Sequence, residues 1–164
     1  GDPNRQMQKI HRIAFWDQRI SVIENFYTTD EFHKLIANAN VVVSTHRAEG
    51  FGYIPAFGLV HGLPVITTDY GGSTDFCTAH TSLPVHATLV PVPDGHSIYQ
   101  TRGANWADVS PDAVAQKLRW VYDTQQAANK LARTGQSLMR ADYSFSAQAE
   151  RYKTRLTDLG CFPN

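Results

Sequence analysis

Two hydrophobic periods alternate along the chain. Met7, Ile10 and Ala14, with Ile13 beside them, recur at helical spacing and predict a helix over about residues 3–18. The short apolar-rich run at 20–26 predicts a strand. Thr28 followed by Glu31 has the form of a capping box, and the helix it opens carries Phe32, Leu35, Ile36 and Ala39 at i, i+3, i+4 and i+7. Val41-Val42-Val43-Ser44 is β-branched without alternation, as in a strand covered on both faces. A glycine-containing loop then leads to a helix over about 52–61, which Gly62 ends and Pro64 prevents from continuing. Val65–Thr68 is the next strand, and it runs into a Gly71-Gly72 turn that can open a short helix, with Asp75 placed either to cap that helix or to approach a bound ligand. Residues 81–107 read as irregular, with Pro84, Pro91, Pro93 and Gly95 and one strand at 88–92. Ser110-Pro111-Asp112 is a helix start with a Ser cap, and Val114, Leu118 and Val121 form the stripe behind it. Further helices are predicted over 125–140 and 146–159, the second with Ala149, Tyr152, Leu156 and Leu159 on one face.

Strands that alternate with helices pair in parallel. The fold class this predicts is α/β, a doubly wound, mainly parallel sheet with helices on both faces. Ligands of such sheets sit at the carboxyl ends of the strands. Two loops therefore matter: the one after Val41–Ser44 and the one after Val65–Thr68.

Composition narrows the picture. The 164 residues suit one domain, and 42% hydrophobic against 18% charged residues can build a core. Lys plus Arg and Asp plus Glu both number 15, so no overall field attracts a polyanion, and a dedicated nucleic-acid binder is not expected. No apolar run approaches the ~18 residues that span a bilayer. Residues 1–5 are polar and carry no leader pattern, so the expected setting is cytoplasmic, with the inner face of a membrane left open. Cys77 and Cys161 read as free thiols. The seven histidines form no metal-binding spacing and read as scattered. GxSxG, GxGxxG and P-loop patterns are absent. Trp16, Trp106 and Trp120 read as packing residues.

The first loop, Thr45-His46-Arg47-Ala48-Glu49-Gly50-Phe51-Gly52, leaves a strand and enters a helix. The first N–H groups of a helix have no internal partner, and the dipole makes that end positive, so a phosphate or a sugar hydroxyl is a natural guest. Gly50 and Gly52 permit close approach to the backbone. Glu49 can accept from sugar hydroxyls, and His46 and Arg47 can donate to an anion. The plainer alternative is a tight glycine turn with a solvated Glu49.

Residues 45–66, THRAEGFGYIPAFGLVHGLPVI, followed by TTDYGGSTDF, resemble the donor-site segment of retaining, nucleotide-sugar-dependent glycosyltransferases of the GT-B type. Asn25 to Glu31, Leu35 to Val41, Asn105-Trp106-Ala107-Asp108 and Tyr143-Ser144-Phe145-Ser146 resemble flanking parts of a bacterial surface-polysaccharide branch. The resemblance implies a Rossmann-like donor-binding lobe. Glu49 matches the first glutamate of the family's E-x7-E signature, which faces the donor sugar, and is the expected catalytic residue. The amides of Phe51, Gly52 and Tyr53 match those meeting the sugar and α-phosphate, while Gly71 and Gly72 match the glycine turn beside the cleft. With His46, Arg47 and Gly50 these are the expected donor-binding residues. No cofactor or metal is implied. The implied partners are a nucleotide-sugar and, through a second lobe, a glycan or lipid-linked acceptor.

Two departures stand out. The second signature glutamate falls on Phe57, which cannot form the bidentate hydrogen bonds by which that carboxylate grips the ribose in the family. The family's lobe also usually begins with a strand and a glycine loop. Residues 1–164 are therefore expected to be a single donor lobe lacking its first strand and the partner N-terminal lobe, and inactive in isolation. Gly1-Asp2-Pro3 would be the remnant of the glycine loop, and Arg5, Lys9 and Arg12 are nearby cations without an assigned role. The alternative reading is a degenerate sugar-, nucleotide- or partner-binding module.

Overall fold

The computed structural model describes residues 3–92 and 103–161. Gly1, Asp2, Pro93 and Gly95 of the expectations above lie outside the described residues. Among the described residues six α-helices run in chain order: α1 (Pro3–Trp16), α2 (Thr29–Ala37), α3 (Tyr53–Val60), α4 (Pro111–Asp123), α5 (Gln125–Asp142) and α6 (Phe145–Asp158). Five strands join them: β1 (Val42–Ser44), β2 (Val65–Thr68), β3 (Leu83–Val85), β4 (Ala87–Pro91) and β5 (Asn105–Val109). β1, β2 and β3 form a parallel sheet in that order, with Val43 opposite Ile66 and Thr67 opposite Pro84. β4 and β5 form a separate antiparallel pair.

All four residues of β2 are buried, as befits the central strand. On one face Val42 and Val65 pack with Ala56 and Leu59 of α3, Met139 of α5, and Phe76 and Cys77. On the other, Ile66, Leu83 and Val85 pack against Ala113, Val114 and Val121 of α4. Helices thus cover both faces, as the alternation of elements predicts. The buried stripe of α5 is Ala128, Ala132, Gly135 and Met139, and a Cβ on Gly135 would lie 2.7 Å from Leu59 Cδ2. Small residues there let α5 approach α3 closely, which the apolar period alone did not reveal.

Several expectations are corrected. The run at 20–26 is not a strand among the described residues. It follows a turn in which Ile20 N–H donates to Asp17 O, and Phe26 is fully exposed. An apolar run becomes a strand only where a neighbouring edge takes its backbone hydrogen bonds. β1 is an edge strand of the described sheet, so Val43 is 39% exposed rather than covered. Leu83–Val85 was concealed by Pro84, which is tolerated because β3 is the opposite edge of that sheet. β5 was missed, and β4 begins one residue before the predicted strand. Ser110 stands at the N-cap of α4 without a side-chain hydrogen bond. Asp75 ends the 3-10 turn Gly72–Asp75 instead of capping its start. The predicted stripes of α1 and α6 stay open: Ile13 is 57% and Tyr152 70% exposed, and Trp16 is exposed rather than packed. α2 contributes no fully buried residue, although its capping box forms as predicted, with Thr28 and Glu31 bonded reciprocally. No helix of the described residues is long and apolar enough to cross a membrane.

Candidate functional site

The loops after β1 and β2 meet at the carboxyl edge of the sheet. Glu49 O accepts from Gly72 N–H at 3.1 Å, which joins them directly. The approach needs glycine at two positions. Gly71 has φ +83, and a Cβ there would lie 2.7 Å from Glu49 O. A Cβ on Gly72 would overlap the carbonyl of Gly50. Between the loops lies an open cleft of about 560 Å³ lined by Ala48, Glu49, Gly50, Tyr70 and Gly71. Glu49 Oε1 accepts from Gly50 N–H at 3.1 Å, which holds its carboxylate against the turn.

α3 starts at this edge. Its N-cap is Gly52 in a left-handed conformation, and no side chain caps it. Pro55, three residues on, has no N–H to satisfy. The open N–H groups of the first turn therefore belong to Tyr53 and Ile54, at the positive end of the dipole.

The structure divides the predicted residues. Glu49, Gly50 and Gly71 line the cleft, and Gly72 braces it from behind. Phe51 and Tyr53 do not line it; their side chains border a separate apolar pocket with Val60, Met139 and Tyr143. Phe51 lies 5.2 Å from both Phe76 and Tyr53, and Tyr53 stacks 6.4 Å from Phe57. His46 is occupied within the protein: Nδ1 meets Ser44 Oγ at 3.1 Å and Nε2 meets the Tyr70 carbonyl at 2.9 Å. A carbonyl only accepts, so Nε2 carries the proton and neither ring nitrogen remains for an anion. Arg47 is turned toward β5, where its Nη2 donates to Asp108 Oδ1 at 2.6 Å and its guanidinium lies over Trp106.

Phe57 lies away from the Glu49 cleft. It is half-buried against Phe32 and His33, with ring centroids 5.2 and 5.0 Å away, and borders an apolar pocket of about 500 Å³ that also takes in Ile23, Tyr27, Phe32 and Leu35. Sequence reasoning missed Tyr70 as a cleft wall and the pairing of Arg47 with β5. It also missed a close histidine pair, His33 Nδ1 with His61 Nε2 at 2.8 Å, whose partners lie 28 positions apart and show no spacing signal. Both cysteines are free, Cys77 buried and Cys161 exposed, and burial pushes the Cys77 thiol up to about 12. Among the described residues no three His, Cys, Asp or Glu side chains converge as metal ligands would.

Comparison with solved structures finds the same architecture. The C-terminal domain of a glycosyl transferase group 1 family protein (LpcC) from Francisella tularensis superposes with a TM-score of 0.64 at 18% identity, covering 87% of this chain and 63% of that one. Sucrose-phosphate synthase (tll1590) from Thermosynechococcus elongatus superposes with a TM-score of 0.68 at 18% identity, covering 98% of this chain and 37% of that one. The chain therefore spans less than two thirds of the length of either. No curated protein matches it in sequence. The match that assigns it runs over residues 3–151, to the family described as "Family 4 Glycosyltransferase in conflict systems", and the chain belongs to that family.

Proposed function

We propose that this chain is the donor-binding lobe of a glycosyltransferase that moves a sugar from a nucleotide-sugar to a glycan or lipid-linked acceptor with retention at the anomeric carbon. The observation that carries the reading is the open cleft beside Glu49 at the carboxyl edge of β1 and β2. In this proposal the sugar lies in the cleft and Glu49 accepts from its hydroxyls. The diphosphate meets the uncapped start of α3. Negative charge grows on the leaving phosphate as the glycosidic bond breaks, and the amides of Tyr53 and Ile54 stabilise it without reorganising. The acceptor and the second half of the cleft come from another lobe, so the chain alone binds donor and does not turn over. A setting in a conflict system is part of the proposal, since the family description names one.

The test is titration of the isotope-labelled chain with UDP, GDP and their sugar conjugates. Chemical-shift changes confined to residues 49–53 and 70–72 are expected. Their absence with every donor would end the proposal.

Phe57 favours a second reading, a binding module that has lost catalysis. Its ring packs where the family's ribose-binding carboxylate would stand, among Phe32, His33 and Tyr53. A Phe57→Glu variant that gains nucleotide affinity would identify a degenerate transferase.

A further inference from the structure

Arg47 stands two residues before Glu49, and three contacts join it to consecutive residues of β5. Its carbonyl accepts from Ala107 N–H at 2.8 Å. Its Nη2 donates to Asp108 Oδ1 at 2.6 Å, and its guanidinium carbon lies 4.8 Å from the centroid of the Trp106 ring. The other side of the loop is held by β2 and the turn after it. Thr68 Oγ1 donates to His46 O at 2.8 Å, His46 Nε2 donates to Tyr70 O, and Gly72 N–H donates to Glu49 O. The acidic turn is thus suspended between two supports, and the guanidinium belongs to one of them rather than to the cleft wall.

We infer that Trp106 and Asp108 are positioning residues that act through Arg47 to hold the Glu49 turn against the cleft, and that Arg47 is a strut rather than a cation for the ligand's phosphates. The inference rests on the donor-site reading for its functional meaning and on the contacts alone for its structural one. Arginine suits the role because its planar fork bonds a carboxylate and lies flat on an aromatic ring at once, and lysine cannot do both. Arg47 and Asp108 are each about half exposed, so their ion pair adds little to global stability. Its effect falls on the order of one loop.

A strut and a ligand cation predict opposite outcomes. If Arg47 met phosphate, deleting Asp108 would release it and tighten diphosphate binding. If it is a strut, the same deletion loosens the turn. The experiment uses the chain with Asp108→Ala, Asp108→Glu and Arg47→Lys. UDP and GDP affinity is measured by calorimetry, and amide exchange is followed at Gly72 and Ala107. The expected result for Asp108→Ala is an affinity loss of about three- to five-fold and a similar acceleration of Gly72 exchange, the size of an exposed pair, with an unchanged melting temperature. Asp108→Glu restores both, and Arg47→Lys does not. Tighter binding by Asp108→Ala, or Gly72 exchange at the unaltered rate, would overturn the inference. If the unaltered chain binds neither nucleotide, the donor reading fails, while the exchange rates still decide the strut.

Discussion

Gly72→Ala is the substitution to which the two-loop site is most sensitive. A Cβ at this position overlaps Gly50 O, sits 2.8 Å from the Gly50 carbonyl carbon, and lies 3.2 Å from Phe51 Cα. Every one of these neighbours is backbone, so no rotamer change relieves the clash. The φ of Gly72 is not positive, so the effect is one of contact alone. The 49–51 segment has to retreat, and the Gly72 N–H to Glu49 O bond is lost with it. Overpacking of this kind costs about 1–3 kcal/mol. A backbone hydrogen bond adds about 1 kcal/mol. A total of about 2–4 kcal/mol is a large share of the ~5–15 kcal/mol available to a domain. It lowers the melting temperature by about 5–15 °C at this chain length. Gly50→Ala is the internal control: nothing lies within 4 Å of its Cβ and its φ is not positive, so a change below about 0.5 kcal/mol is expected. Urea unfolding gives both values, and amide shifts at 49–53 report the turn. If Gly72→Ala matched the unaltered chain, or Gly50→Ala were equally damaging, the two loops would not touch as described.

The thiols differ sharply. An aromatic disulfide reagent should modify one thiol per chain, at exposed Cys161, and reach Cys77 only on unfolding, because burial holds that thiol protonated up to about pH 12. Two fast equivalents in the native state would contradict the packing around Cys77. The His33–His61 bond survives one proton and not two, since two protonated rings oppose N–H to N–H. Burial, and then the charge of His33, hold the His61 pKa below its ordinary 6.5. The unfolded chain therefore binds more protons in that window, and stability present above pH 6.5 is lost as pH falls through the lowered value. Melting temperatures from pH 7.5 to 5.5 should fall less steeply for His61→Gln, and parallel profiles would refute the coupling.

The legible parts of this fold are those that local chemistry decides. Thr28 and Glu31 announced a helix because cap and N3 side chain satisfy each other within four residues. Val65–Thr68 matched residue for residue because a central strand is apolar or small throughout. The misses need partners distant in sequence. Residues 20–26 look like a strand until one asks which edge would pair with them, and β3 looks like a loop until Pro84 is placed at a sheet edge. The site divides the same way. The Glu49 turn and the two glycines showed in spacing, whereas nothing near Arg47 foretold Trp106 and Asp108, some sixty positions away.

Phe57 and its surroundings act as one aromatic unit. The half-buried ring packs against Phe32, His33 and Tyr53, so a carboxylate placed at 57 meets aromatic neighbours and not a polar site. Desolvation then disfavours its charged form. Protonating the carboxyl removes that desolvation penalty, so the cost of the substitution is largest at high pH and shrinks as pH falls. The stability gap between Phe57→Glu and the unaltered chain should narrow as pH falls from about 8 to about 6, and any nucleotide affinity the variant gains should be compared at both ends of that range. An equal penalty at both pH values would show that the new carboxylate reaches solvent instead of the rings. The variant would then test ribose binding directly, without repacking of α2 against α3.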